Sequence, residues 1–479
     1  MRAFSAIVML TLRKALRSHV FQLLLILLML CVAVIPMSIS VSKADEFIQV
    51  SLLYSLWTVS IILALSSIWL GCFVMSHDID SYQLHMVVSK PVARWKLWLG
   101  KWVGINLINV TLLLLAGIAV YAVVMVRYNA AGKERALAGR ESEREMAKAD
   151  QERIRSTILV GRRSYFPKRL TPEEIADRQL RLRAIVAEKN GEKPKTNDEL
   201  KAEREQLIAK IKEQPGAVEV LPGKTQEWVF ENIPQELRDK KLTLRYRPYL
   251  GKVASEDQRE THVLWVVAVP QVNEKTGGYN LYQAPLSNGP EQVFTGIFHE
   301  KTLPADLVTP DGEIKIAVAN LDRHNGKHFY QVADGPVLLI PVCSFEENFL
   351  RGLLVMTIQL LLLSGLACAF GGFLTMPTAV FMVTSYLLFG AFSTILTDPE
   401  FFAEDKLSVF GQAMANVLLL VIIPLQKFDI TDLLANGKLI EFSYIGELFF
   451  QYFILRGLPV FLLGIWLYSR RDLGLAVKK

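Results

Sequence analysis

The chain has 479 residues, 51% of them hydrophobic, and a formal net charge of +6. The basic residues form no stripe interleaved with aromatics, which excludes the usual nucleic-acid footprint. The four cysteines (Cys31, Cys72, Cys343 and Cys368) have neither the spacing of a zinc site nor that of a disulfide framework. Apolar residues instead collect in long uncharged runs towards both ends, while the middle is rich in Arg, Lys and Glu.

In chain order, Met1–His19 sets Phe4, Ile7, Val8 and Thr11 against Arg13, Lys14 and Arg17, the pattern of a short amphipathic helix on a membrane surface. Val20–Met37 comes next. Its basic prefix imitates a secretion signal, but it is too long for an h-region and lacks a small-x-small cleavage site. Bulky Leu30 also precedes Cys31, where a lipoprotein signal needs a small residue, so the run reads as an uncleaved first span. Leu53–Met75 and Trp98–Val126 are further runs of the ~18 or more apolar residues that a crossing helix needs.

From Ala130 to Lys212 the composition favours helix. Thr171-Pro172-Glu173-Glu174 reads as a capping box with proline at the first helical position, and Thr196-Asn197-Asp198-Glu199 repeats the signal. Asn190-Gly191-Glu192-Lys193-Pro194 separates the two, which leaves either a helical hairpin arm or a solvated linker. After Gln214-Pro215-Gly216 the period changes to two: Leu242–Arg247 and Glu313–Val318 alternate, His262–Val269 reads as a buried strand, and Asn325-Gly326 as a hairpin turn. His324 and His328 flank that turn as surface decoration, and Asp311, Asp322 and Asp334 read as turn residues. Short strands at close spacing predict a β-sandwich of jelly-roll type.

The last third holds the runs Phe349–Phe373, Pro377–Leu396 and Leu448–Leu467, with Val409–Leu425 open to two readings, a span or a re-entrant segment. Charge bias arbitrates. Arg13, Lys14 and Arg17, then Lys90, Arg94 and Lys96, then Arg470, Arg471, Lys478 and Lys479 place both termini and the 76–97 loop on the cytoplasmic side. The number of crossings must then be even, so 409–425 is expected to dip and return. The expected fold is therefore an α-helical polytopic membrane protein of about six transmembrane helices in a 3+3 arrangement. Its parts are an interfacial helix and three spans (1–126), a charged extracytoplasmic helical region (127–216), an extracytoplasmic sandwich (217–345) and three more spans (346–479).

The stretch after the second span carries the most chemistry. An acidic start, Asp78 and Asp80, leads through Lys90-Pro91 to Arg94, and then to a helix on which Trp95, Trp98 and Trp102 share a face. That face is expected to anchor at the lipid interface while Arg94, Lys96 and Lys101 stay in water. An ordinary aromatic belt explains the tryptophans and lysines but not the acidic start or the Ser-Lys-Pro-Val-x-Arg run.

With its acidic patch, its Pro-x-x-Arg step (Pro91, Arg94) and its Gly-Lys pair (Gly100, Lys101), this loop resembles that of the permease subunits of type-two ABC exporters. The N-terminal surface helix, the Phe373–Val380 turn and the Tyr468-Ser469-Arg470-Arg471-Asp472 ending are similar too. Asp78, Asp80 and Ser81-Tyr82 stand where that family often has glutamate and Gly-Thr, and the large middle region lies outside the resemblance. The resemblance implies a coupling helix that docks into a separate ATPase subunit, a re-entrant segment before the last span, pairing with a second permease as homodimer or heterodimer, and a bacterial cytoplasmic (inner) membrane location.

No Gly-x-x-x-x-Gly-Lys-Ser/Thr loop occurs, so any ATP is expected in a partner and no cofactor on this chain. Charged residues within the runs are scarce, which argues against an ion-coupled carrier. Arg351 is expected to snorkel from a span end. Arg456 lies well inside the last run and reads either as a functional site or as a structural pair with a carboxylate such as Glu447. No serine or cysteine has a base beside it in sequence, so no enzyme is expected. The rival reading is a membrane-anchored binding or envelope-structural protein that recognises glycan or protein through its sandwich.

Overall fold

An uncharged apolar run satisfies its own backbone in an apolar surrounding only as an unbroken helix, and most of the runs above form one. The computed structural model describes residues 2–17, 19–39, 44–80, 93–136, 141–168, 197–213, 217–237, 240–251, 260–272, 279–304, 306–322, 326–331, 334–396 and 422–470, with single positions between 171 and 180. Two units form, one from residues 1–161 with 343–479 and the other from Arg162–Val342.

The first unit is helical. Its elements are α1 (Arg2–Leu16), α2 (His19–Ser38), α3 (Ala44–Asp80), α4 (Arg94–Ala136), α5 (Glu141–Thr157), α7 (Phe345–Gly371), α8 (Met376–Leu396), α9 (Thr431–Ala435) and α10 (Phe442–Arg470). Helix α6 (Asn197–Glu213) belongs to the second unit. By length and composition four helices are fit to cross a membrane: α3 over Ala44–Ser76, α4 over Arg94–Ala130, α7 and α10. The other two expected spans correspond to the apolar stretches Gln22–Ser38 and Met376–Ala391, which belong to α2 and α8. Those helices run 20 and 21 residues and rise ~30 Å, about the thickness of a typical hydrocarbon core. The expected dip at 409–425 lies almost wholly outside the described residues. The segment beyond it, Ile422–Ile440, is irregular and folded against α3 and α7: Gln49 bonds Asn436, and the Asn348 side chain bonds the Lys438 carbonyl and the Ile440 N–H.

Helix α7 lies at the centre: 78% of its apolar window is buried in the protein, against 39%, 44% and 28% for α3, α4 and α10. Its run Ser364-Gly365-Leu366-Ala367-Cys368-Ala369 is rich in small residues, which let neighbouring backbones approach closely where lipid supplies no hydrophobic drive. The Phe461 ring of α10 packs on Gly365 so tightly that a Cβ there would lie 2.3 Å from it. Gly365→Ala is expected to cost about 1–3 kcal/mol and to lower the thermal unfolding midpoint of the purified chain. Gly446→Ala, with nothing within 4 Å of the added carbon, is the control that leaves the midpoint unchanged or slightly raised.

The second unit is built on strands β1 (Val160–Tyr165), β2 (Ala217–Val220), β3 (Thr225–Phe230), β4 (Leu242–Tyr246), β5 (Tyr249–Leu250), β6 (Glu260–Val272), β7 (Tyr279–Pro285), β8 (Glu291–Phe294), β9 (His299–Leu303), β10 (Ile314–Asn320), β11 (His328–Gln331) and β12 (Val337–Ser344). Strand orders are β1-β12-β4-β9 in one sheet, β3-β10-β6-β7 with β8 also on β6 in another, and β2-β11-β5 in a third. The pairing is nested: β1 lies beside β12, β2 beside β11, β3 beside β10, β4 beside β9 and β6 beside β7, as in one long ribbon folded at its middle. The ribbon then rolls up, bringing β12 onto β4, β11 onto β5 and β10 onto β6. Alternation follows the pleat, with Leu242, Leu244 and Tyr246 inward on β4 and Ile314, Ile316 and Val318 inward on β10. Tyr246 of one sheet packs 4.6 Å from Trp265 of the other, and Trp228 and Tyr330 complete the aromatic core.

Three expectations change here. First, the charged stretch contains a strand, β1, whose Arg162 is only 2% exposed and makes a bidentate pair with Glu300 (2.8 and 3.2 Å). Second, β10 and β11, on either side of the expected Asn325-Gly326 hairpin, enter different sheets rather than pairing with each other, and Asn325 itself lies outside the described residues. The Asn320 side chain bonds the Val220 and Gly326 carbonyls, and Asp322 accepts the Gly326 N–H (2.7 Å). Third, His328 does not decorate the surface but is fully buried, with Nε2 2.6 Å from the Thr261 hydroxyl. The first capping box forms as expected: the Thr171 N–H meets the Glu174 carboxylate and the Glu174 N–H meets the Thr171 hydroxyl, while the break at 190–194 and Thr196 of the second lie outside the described residues. Arg204 of α6 pairs with Asp177.

Burial lowers the His328 pKa from 6.5 to about 4, so the folded chain holds the imidazole neutral. The unfolded chain takes up a proton below 6.5 and the folded one only near 4, so this contribution is present above 6.5 and is lost as pH falls towards 4. The loss is on the order of 3 kcal/mol. Denaturant unfolding followed by tryptophan fluorescence is expected to show it between pH 6.5 and 4, and His328→Gln to flatten that slope.

Candidate functional site

Of the residues singled out around the second loop, Lys90 and Pro91 lie outside the described residues. Asp78 and Asp80 fall in the last turn of α3, where the backbone alone is described. The structure describes the far flank of the loop in detail. Arg94 opens α4 and donates from Nη1 to the Ser469 carbonyl at the end of α10 (2.8 Å). One turn on, Trp98 is 1% exposed and its indole N–H donates to the Cys368 carbonyl of α7 (3.2 Å). Lys101 is 5% exposed and donates to the Val74 carbonyl of α3 (3.2 Å). Trp102 donates to the Leu361 carbonyl (3.3 Å) and stacks with Phe453 of α10.

The expected interfacial belt is therefore corrected for two of its three residues. Trp95 is half exposed with Lys96 over its ring, but Trp98 and Trp102 face into the bundle. The same spacing that lines three indoles on one face also turns that face to the neighbouring helices. An indole N–H within an apolar bundle needs an acceptor, and the carbonyls of α7 supply it. Lys101 likewise does not sit in water; its stem runs through the bundle to a carbonyl near the end of α3. Arg351 does not snorkel either: it bonds the Ile440 carbonyl (3.0 Å), pairs with Glu347 and lies over Phe442.

Gly100 has a packing role. A Cβ there would lie 2.8 Å from Ile7 of α1, and one at Gly104 would lie 2.8 Å from Thr11. Gly100-Lys101-Trp102-Val103-Gly104 is a small-xxx-small face on which α1 lies. The end of α3 is fixed too, since the Ser76 hydroxyl reaches the Gly371 carbonyl (3.2 Å) and the Leu374 carbonyl (3.4 Å).

One end of the bundle thus gathers α1, with Arg13, Lys14 and Arg17, the start of α4, with Arg94 and Lys96, and the end of α10, with Arg470. The opposite end carries Asp45 paired with Arg153, Glu346 bonded by Tyr121, Glu347 with Arg351, and Lys427 with Glu447. The sequence reading missed the polar contacts between helices: Ser364 to Asn106 (2.8 Å) and Ser60 to Gln359 (3.5 Å) join the two groups of spans, and Asn109 to Ser67 (2.9 Å) joins α4 to α3 within the first. Their signal is present in the sequence as isolated Ser, Asn and Gln inside apolar runs.

Among the described residues no group of three or more His, Cys, Asp or Glu is placed to hold a metal. What the residues around the loop do share is attachment: its far flank is bonded to α3, α7 and α10 together. Comparison with protein families, characterised proteins and solved structures finds no match.

Gly104→Leu is expected to push α1 off α4. Trypsin cleavage after Arg13 and Arg17 of the detergent-purified chain should then rise about fivefold or more, as local opening becomes easier.

Proposed function

We propose that this chain is the membrane-spanning permease subunit of an ATP-binding cassette exporter, coupling a separate ATPase subunit to movement of a substrate across the bacterial cytoplasmic membrane. The observation that carries the reading is the Arg94 contact with Ser469, which, beside the Trp98 and Lys101 bonds, ties the loop's far flank to both groups of spans. A partner that binds the 78–101 loop and moves on ATP hydrolysis would displace α3, α7 and α10 as one. ATP sits on the partner, and this chain takes no cofactor.

In this reading α2 and α8 cross with the other four, giving six spans, and the dip near 409–425 stays within one leaflet. The basic end faces the cytoplasm with both termini, as the excess of Lys and Arg there favours, and the domain between α5 and α7 lies outside. The nested strand order supports a jelly roll. A second permease, the same or homologous, completes the pathway.

A second reading, a membrane-anchored binding protein, draws support from half-exposed Tyr282, Phe294, Ile297 and Phe298 on the strand unit, since exposed aromatics suit glycan or protein recognition.

The test is to purify the full chain from native membranes in mild detergent and photolabel with azido-ATP. A stoichiometric nucleotide-binding subunit should co-purify. Replacing both Asp80 and Arg94 with Ala should lower ATP hydrolysis by the vesicle-reconstituted complex about tenfold. No labelled subunit, or unchanged hydrolysis in the double variant, overturns the proposal, and glycan binding by a chain with no such subunit establishes the second reading.

A further inference from the structure

Arg456 lies near the middle of the apolar helix α10, and the structure gives it a task other than the expected pairing with Glu447, which instead meets Lys427 at 3.5 Å. Its Nη1 donates to the Ile422 carbonyl (2.5 Å), and its guanidinium lies 5.0 Å from the centre of the Tyr452 ring. Residues 422–424 are not helical, and Pro424 is extended (φ −73°, ψ 103°). Their backbone therefore has polar groups that no helix ladder satisfies, in a place where each unsatisfied group is costly. The neighbours converge on this backbone: Tyr386 of α8 is hydrogen-bonded to Ile423, and Gly390 lies so close that a Cβ would be 2.5 Å from the Ile423 carbonyl. Tyr444 donates to the Lys427 carbonyl just beyond.

Arg456 also sits on an unusual stretch of α10. Leu448–Gly457 is π-helical, with more residues per turn than an α-helix holds. Such stretches are rare and concentrate at functional sites, because a helix can shed or gain the extra residue by rotating one half against the other. The far half of α10 runs from Leu458 to Arg470 and ends on the Ser469 carbonyl that Arg94 holds. Thirteen residues, ~20 Å of helix, separate Arg456 from that contact.

We propose that Arg456 is a positioning residue that clamps the non-helical Ile422–Pro424 backbone to the π-helical stretch of α10, so that movement at the Arg94–Ser469 contact is passed to this segment. The proposal rests on the coupling reading for its purpose but not for its test.

The test uses the full chain in lipid nanodiscs, with the four native cysteines replaced and Ile423→Cys as a buried reporter, read by its rate of reaction with a soluble maleimide. Ile422→Cys serves as a second reporter. Arg456→Gln, which removes a charged donor to a buried carbonyl, should raise the rate about tenfold or more. Arg456→Lys, which keeps a cationic donor, should fall between the two, and Leu455→Ala, at an exposed position, should match the parent. Arg94→Ala, which removes the α4 contact at the far end of α10, should raise the rate about threefold in the parent and add nothing in the Arg456→Gln background, the non-additivity of coupled sites. A parental rate in Arg456→Gln overturns the clamp. An Arg94→Ala effect that is absent, or equal in both backgrounds, overturns the transmission, which a purely structural role would not produce. ATP and an ATPase play no part in the readout, so failure to find a nucleotide-binding subunit and failure of this experiment are separate results.

Discussion

The carbonyl oxygens of α7 accept hydrogen bonds from side chains of the helices around it, and much of the helical unit is arranged to make that possible. Trp98 and Trp102 reach Cys368 and Leu361 from α4, and Ser76 reaches Gly371 from α3. A helical carbonyl has a second lone pair that its own ladder leaves open, but a neighbour can use it only by coming close, and small residues on α7 let it do so. Each such bond in a membrane protein adds only ~0.6 kcal/mol, so the ladder matters less as a sum than as a register. It fixes which turn of α4 faces which turn of α7.

The same constraint explains why Lys101 and Arg456 are tolerated. An ammonium or guanidinium inside the bundle is expensive unless it gives its protons to strong acceptors, and both find backbone carbonyls. Lys101 shares a carbonyl within α3, that of Val74, whereas Arg456 takes that of Ile422, which is outside any helix and precedes a proline by two residues. The surface salt bridges, such as Arg153 with Asp45, contribute little by comparison because solvent screens them.

Much of this fold is legible in the sequence, and the departures have a common cause. The apolar runs locate the helices because unbroken hydropathy admits one solution, though α3 begins nine residues before its run and α4 ends ten after its own. The period-two segments set β4 and β10 for the same kind of reason. What pattern cannot give is which face meets which neighbour. Helical spacing puts Trp95, Trp98 and Trp102 on one stripe, but the stripe alone does not say whether it faces lipid or protein. Strand β1 is hidden because Arg162 and Arg163 make a buried strand look solvated, and the long-range partner Glu300 compensates the buried Arg162 charge. The Asn325-Gly326 signal does not predict that β10 and β11 go to different sheets, because strand partners are set by contacts far off in sequence. The clamp at Arg456 depends on a π-helical stretch that leaves no mark in composition.

The nested order of the strands has a consequence for how the protein is made. Strand β1 leaves α5 early, but its neighbour β12 is translated only after residue 337. At ordinary rates of synthesis, the roughly 170 residues between them take on the order of 10 to 30 s. Throughout that interval the outermost strand of the sheet lacks its mate, and the unit closes only as the chain reaches the start of α7. Helices α3 and α4 are by then already synthesised, whereas the central helix that organises the bundle has yet to appear. The strand unit is therefore completed late, just before the central helix appears, and the helical unit later still, once α8 to α10 have followed.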